Sequence, residues 1–156
     1  DNSLFPSVWY LKDESVAAVS ASKVVYISRD GKIKWEAPFE DEEILSSAIM
    51  EGKSIIVALN AVSNGGILSG SSSKLVLLNG EGKQSDILNV EGTAKNITVF
   101  GDVIAVNTVS QVLFINSKGK LLGKYTPKID VNEVKFLNGN EAVVITKNSF
   151  DIVKVQ

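Results

Sequence analysis

Short apolar runs recur along this chain, and several close on a turn residue and a glycine. The clearest is Lys23 to Pro38, KVVYISRDGKIKWEAP, in which Val24, Val25, Tyr26 and Ile27 precede Asp30-Gly31 and a short segment carrying Trp35. Looser copies start at Ser73 (SKLVLLNGEGKQSDIL) and Gln111 (QVLFINSKGKLLGKYTP), and a fourth starts at Ser149 (SFDIVKVQ), where the sequence ends. Asp-Gly between two strand-like runs predicts a hairpin, with a tight type I′ turn as its expected form. Gly82 and Gly119 hold the matching places. The runs before these glycines do not alternate: Leu75 to Leu78 and Val112 to Ile115 are apolar at every position. Strands of that kind are covered on both sides, as in a stack of small sheets.

Helical periodicity is nearly absent, and β-branched residues are frequent throughout. The pattern predicts about fifteen short strands separated by Gly, Asn, Asp and Ser. Gly82 and Gly119 lie 37 positions apart, as do Phe100 and Leu137. The larger gap from Gly31 to Gly82 comes from a Gly/Ser-rich insertion, Val62 to Ser72. Without it the period is near 40, with four strands, A to D, in each unit. The units fall at approximately 7–38, 43–90, 95–127 and 131–156 of a single repeat domain. The last lacks strand D, and the N-terminal segment 1–6 is placed to supply it.

Units of this size, with covered inner strands and C–D hairpins on glycine, predict an all-β, β-propeller-like fold of four four-stranded antiparallel blades. A fragment of a larger propeller and a β-sandwich are the alternatives. Val24 to Trp35 also resembles the quinoprotein-type (PQQ-like) repeat, where an apolar strand, a [DN]-x-x-G-K-x-x-W turn and a Trp close each blade. Unit 3 keeps Gly119 and Lys120, with Tyr125 as its only late aromatic, and unit 2 has no aromatic after Gly82. The enzymes of that family hold a quinone with metal, acidic and amide ligands, none of which can be matched here. The resemblance therefore implies the non-catalytic branch, a scaffold without cofactor.

Composition narrows the chemistry. Among 156 residues there is no Cys and no His, which removes thiol nucleophiles, disulfides, the usual zinc sites and imidazole acid–base catalysis. The net charge is −2 and Arg29 is the one arginine, so a nucleic-acid footprint is not expected. No apolar run reaches the roughly 20 residues that span a bilayer as a helix. The chain starts at Asp1, not Met, which reads as a processed, anchored or excised protein and favours the cell surface, periplasm or exterior.

The densest charge run, Glu40-Asp41-Glu42-Glu43, reads more readily as a wet loop than as a cation site, because it lacks the spaced pattern of a calcium loop. The insertion, with Asn64, Ser69 and Ser71, is not a phosphate loop, because Gly70 is followed by Ser71 rather than Lys. It is either a flexible loop or a binding loop on a rigid scaffold. In a propeller the D–A and B–C connections share one end, so these two features should form a rim that binds a partner. Trp35 reads as blade packing. Leu4, Phe5 and Trp9 are expected at a closing strand or a subunit contact, and Asn96-Ile97-Thr98 is a lone glycosylation sequon. The expected function is a non-enzymatic protein-binding or self-associating scaffold. A structural subunit joined by strand addition and a non-catalytic part of a larger enzyme or sensor are the alternatives.

Overall fold

The structure is a computed structural model that describes residues 4–50, 52, 54–61, 72–108 and 110–156. The described residues form fifteen strands in four antiparallel sheets and no helix, so none is long and apolar enough to cross a membrane. Blade 1 joins β1 (Ser7–Tyr10), β2 (Val16–Val19), β3 (Lys23–Ile27) and β4 (Ile33–Pro38). Blade 2 joins β5 (Glu42–Met50), β6 (Ser54–Ala61), β7 (Ser72–Leu78) and β8 (Gln84–Glu91). Blade 3 joins β9 (Ala94–Phe100), β10 (Val103–Thr108), β11 (Val112–Asn116) and β12 (Leu121–Tyr125). Blade 4 has β13 (Val131–Asn138), β14 (Glu141–Thr146) and β15 (Phe150–Lys154). In every sheet the strands pair in chain order. The predicted all-β propeller-like fold is therefore the observed one.

The first strands of successive blades are tied to one another. Trp9 on β1 donates its indole N–H to Ser47 Oγ on β5 at 3.0 Å, and Ser46 Oγ on β5 accepts from Ile97 N on β9 at 3.1 Å. On β9, Thr98 Oγ1 donates to Val134 O of β13 at 3.0 Å. Each satisfies a polar group that a packed junction would otherwise strand.

The C–D turns follow one design, which differs from the type I′ turn expected at Asp30-Gly31. Ser28 N donates to Lys32 O and Gly31 N to Ser28 O, and the same pair of bonds recurs at Asn79/Lys83 with Gly82 and at Asn116/Lys120 with Gly119. Among the described residues of these turns only the glycines have positive φ, between 77° and 79°. This is a three-residue loop ending on a left-handed glycine, which leaves Asp30 in an ordinary conformation. The residue opening each loop holds it. Asn79 Oδ1 accepts from Glu81 N and Lys83 N, and Asn116 Oδ1 accepts from Lys118 N and Lys120 N.

The B–C turns are equally regular. Ser20 N, Thr108 N and Thr146 N donate to Lys23 O, Gln111 O and Ser149 O, each at 2.9 Å. The hydroxyls of Ser20, Thr108 and Thr146 reach the same carbonyls. Blade 2 carries its insertion in this place. These turns fix equivalent positions across blades 1, 3 and 4.

Burial is layered between consecutive blades. Ala17, Val19, Val24 and Tyr26 of blade 1 pack on Ile55, Val57, Leu59, Val76 and Leu78 of blade 2. The other face of blade 2, with Met50, Ile56, Ala58 and Leu75, packs on Ile97, Ile104, Val106 and Ile115 of blade 3. Ala105, Val112 and Phe114 of blade 3 then pack on Val134, Ala142, Val144 and Val153 of blade 4. The continuous apolar runs of β7 and β11 serve two such layers at once, one on each face. No corresponding cluster joins blade 4 to blade 1 among the described residues. Blade 4 has three strands, and Leu4 to Pro6 form none. Phe5 lies on blade 1, with Lys23 Nζ 5.9 Å from its ring centre. Residues 1–3, the remainder of the segment expected to complete blade 4, lie outside the described residues.

Trp35 is a blade-packing residue. It stacks on Tyr26 with ring centres 5.0 Å apart and donates its indole N–H to Gly80 O at 3.1 Å. A Cβ on Gly82 would sit 2.8 Å from its ring, so the aromatic face closes directly on the next blade's turn. Tyr125 is not its counterpart in blade 3. Strand pairing sets Trp35 opposite Tyr26 but Gly123 opposite Phe114. Tyr125 instead donates its hydroxyl to Asp151 Oδ2 at 2.6 Å across the next junction, and that bond raises its pKa.

Candidate functional site

Two kinds of surface could receive a partner. The first is the rim expected from sequence. Phe39, buried in the junction of blades 1 and 2, anchors the D–A connection by donating its N–H to Ser22 O at 2.8 Å. Glu40, Asp41 and Glu43 are exposed, whereas Glu42 is half-buried and pairs with Ala61 in the ladder. Lys74 Nζ lies 3.3 Å from Asp86 and 4.0 Å from Glu42. The acidic run and the two ends of the insertion are thus side by side. Asn64, Ser69 and Ser71 lie outside the described residues. Exposed ion pairs of this type contribute at most about 1 kcal/mol, so the rim's charges leave the fold largely unconstrained.

The second surface was not singled out in the sequence. Counting from the B–C turn, Phe150 and Ile152 of blade 4 occupy the places of Val112 and Phe114 in blade 3 and of Val24 and Tyr26 in blade 1. Those four residues are core. Phe150 and Ile152 are 68% and 61% exposed. Val143 and Ile145 stand opposite Ile152 and Phe150 on the neighbouring strand. They complete an apolar sheet face with no blade beyond it among the described residues.

Blade 1 has the reciprocal surface. Val8 pairs with Ala18 and Tyr10 with Val16, the same ladder positions at which Ile97 and Val99 pair with Val106 and Ile104 in blade 3. Ile97 is buried and Val99 half-buried against blade 2. Val8 is 52% and Tyr10 81% exposed. Of the residues expected at an assembly contact, Leu4 is exposed and Phe5 lies beside Lys23. Trp9 turns the other way, into the junction with blade 2. Asn96 donates its side-chain amide to Asn132 O at 3.3 Å, so the nitrogen that a glycan would use is engaged at the blade 3–4 junction.

The most perturbed ionisable group serves a turn. Asp13 accepts hydrogen bonds from the Ser15 hydroxyl, from Tyr26 Oη at 2.8 Å and from Ser15 N at 3.2 Å. The Ser15 bond, then the Tyr26 bond, hold its carboxyl down at about 2. Tyr26 is pushed up, first by burial. The cluster ties the A–B loop of blade 1 to β3, as Ser117 bonded to Asp102 ties the corresponding loops of blade 3. Among the described residues no three His, Cys, Asp or Glu side chains converge as a metal site.

Solved structures share this architecture. The computationally designed Ika4 protein matches with a TM-score of 0.75 and 12% identity over 100% of this chain and 94% of its own. BamB from Moraxella catarrhalis matches at 0.70 and 16% identity over 99% of this chain and 48% of its own. The Pan2 WD40 domain of Neurospora crassa matches at 0.65 and 12% identity over 97% of this chain and 48% of its own. The chain thus spans about half the length of the two natural proteins. At such identities the likeness shows the β-propeller fold alone. No curated protein matches the sequence. A family model covers residues 1–155, and the chain belongs to that family, the family of unknown function DUF5711.

Proposed function

We propose that the protein is a non-enzymatic propeller scaffold that binds protein through its end faces, at the cell surface, in the periplasm or outside the cell. The observation that carries this reading is the pair of apolar faces that, among the described residues, leave Val8 and Tyr10 on blade 1 and Phe150 and Ile152 on blade 4 exposed. Their residues repeat positions that are core elsewhere in the same chain. Large apolar patches of this sort mark interaction sites. The Gly31-Lys32 turn and Trp35 favour the non-catalytic, PQQ-like branch of propellers, and the likeness to BamB, a propeller protein, accords with it. The rim of Glu40 to Glu43 is a second place for a partner, tested by reversing Glu42 and Glu43 to Lys.

Site-specific photo-crosslinking in cells tests the scaffold reading. A photoreactive residue at position 10 or 152 should give protein adducts, and one at exposed Glu81 should not. Absence of any protein adduct at both end-face positions would contradict it. Strand addition is a second reading, favoured by one observation: β15 has β14 on one side and no strand on the other among the described residues.

A further inference from the structure

We infer that the junction of blades 3 and 4 holds a monovalent alkali cation, sodium or potassium, between the side-chain oxygens of Asn96 and Asn107. The inference stands apart from the scaffold reading and uses neither end face.

Three observations carry it. The first is a pair of stranded acceptors. Asn96 on β9 and Asn107 on β10 stand opposite each other in the ladder, so both side chains leave the same face of the sheet. Residues paired in this way have Cβ atoms about 5 Å apart, which puts both amides within reach of one small ion. Asn107 is fully buried, and Asn96 is half-buried with its side-chain oxygen out of solvent. Among the described residues neither side-chain oxygen has a hydrogen-bond partner. Buried acceptors left in that condition are costly and rare. Blade 4 fixes the orientation of both amides. Asn96 Nδ2 donates to Asn132 O and Asn107 Nδ2 to Val131 O, each at 3.3 Å. Turning either amide over would set its oxygen against a carbonyl oxygen, so the two acceptors stay where they are.

The second observation is the position itself. Asn107 immediately precedes Thr108, which closes the B–C turn of blade 3. Val19 holds this place before Ser20 in blade 1, and Ile145 before Thr146 in blade 4. Val19 is core in the junction of blades 1 and 2. An apolar side chain therefore suits the position, and an amide there calls for a polar occupant.

The third is the chemistry of the donor set. Two neutral amide oxygens meet here, with the carbonyls of Val131 and Asn132 beside them. The side-chain N–H groups of the two asparagines already serve those carbonyls. A water molecule could donate to both amide oxygens, but its own lone pairs would then need donors that these side chains have spent. A cation has no such need, and hard cations take amide and carbonyl oxygens as ligands. Asp130, one residue before Val131, is exposed and lies 3.9 Å from Lys95. A ligand set of neutral oxygens suits a singly charged ion, whereas calcium sites are built on carboxylates.

Thermal melting of the full chain in sodium, potassium or choline chloride at one ionic strength tests the site. Sodium or potassium should raise the melting temperature above the choline value by about 2 °C or more, and the rise should grow with cation concentration. Asn107→Val, which matches Val19 of blade 1, should abolish that difference between salts, whatever it does to the absolute melting temperature. Asn96→Ala, at a half-buried position, should reduce it. Thallium(I), a potassium mimic, should appear by its anomalous scattering between the two amide oxygens in crystals of the wild-type chain. Equal melting in all three salts would overturn the site and leave these oxygens to water. A salt difference that survives both substitutions, thallium bound only elsewhere, or a response to calcium alone would each overturn it as well.

Discussion

Blades 3 and 4 carry nearly the same strand pattern, yet Phe114 is fully buried where Ile152, its positional equivalent, is 61% exposed. Both follow a B–C turn closed by a threonine, and both lie in the third strand of their sheet. What separates them is the next blade. Burial in this fold is a property of having a neighbour, as in other repeat architectures, where a unit cannot cover its own faces.

That comparison can be broken by substitution. Phe114→Ala should cost about 3–5 kcal/mol, because a fully buried aromatic leaves a cavity between blades 3 and 4. Phe150→Ala should change the stability of the isolated chain by no more than about 0.5 kcal/mol. Urea unfolding of the two variants at low concentration reads the difference, and equal losses would place Phe150 in a core.

The glycines of the C–D turns sharpen it. Gly31 and Gly119 share a φ near 78°, at 79° and 77°. A Cβ at Gly119 would strike the carbonyl oxygen of Ile87, whereas one at Gly31 meets nothing within 4 Å. Gly31→Ala should cost about 1 kcal/mol of conformational strain. Gly119→Ala adds a backbone clash at a filled junction and should exceed about 2 kcal/mol. The two melting temperatures decide it.

Titration gives a smaller effect of defined sign. Asp13 is held at about 2 in the fold, below its ordinary 3.8, so its contribution is present above pH 4 and fades as pH falls toward 2. Asp13→Asn should flatten the stability profile in that window. Tyr26 is raised above 10, so its contribution is full below pH 10 and lost as pH rises beyond it. Tyr26→Phe should remove part of that alkaline loss. Melts across both windows check the pair. The smallest effect belongs to Glu14, the one non-glycine residue with positive φ among those described, at 61°. Glu14→Gly should gain about 0.5 kcal/mol by relieving that strain, less whatever the exposed Arg29 pair contributes.

Much of the fold was legible because the repeat is written in short-range chemistry. The glycine of each C–D turn, the Ser or Thr of each B–C turn and the unbroken apolar strands between them set the four-sheet plan. The turn type was misread at Asp30-Gly31, because Asp-Gly is compatible with two loop geometries and the one with a single left-handed residue is used. Tyr125 lies two residues beyond the register of Trp35, which Gly123 fills in blade 3, the same bulge occurring in both blades. The rim was an expectation from topology alone, and Asn64, Ser69 and Ser71 of it lie outside the described residues. The end faces were missed although their signal was present: aligned on the B–C turns, Phe150 and Ile152 fall in the register of Val112 and Phe114. Reading them as open surface required knowing that blade 1 does not return to cover them, a fact about closure that local patterns do not encode.

Hydroxyl-radical footprinting of the wild-type chain across dilution tests the central claim most directly. The account predicts that Tyr10 and Phe150 are oxidised readily in dilute solution, while Phe114 stays shielded throughout. Shielding of Tyr10 and Phe150 at the lowest concentration would mean that four blades close on themselves, and the account of the end faces would be wrong.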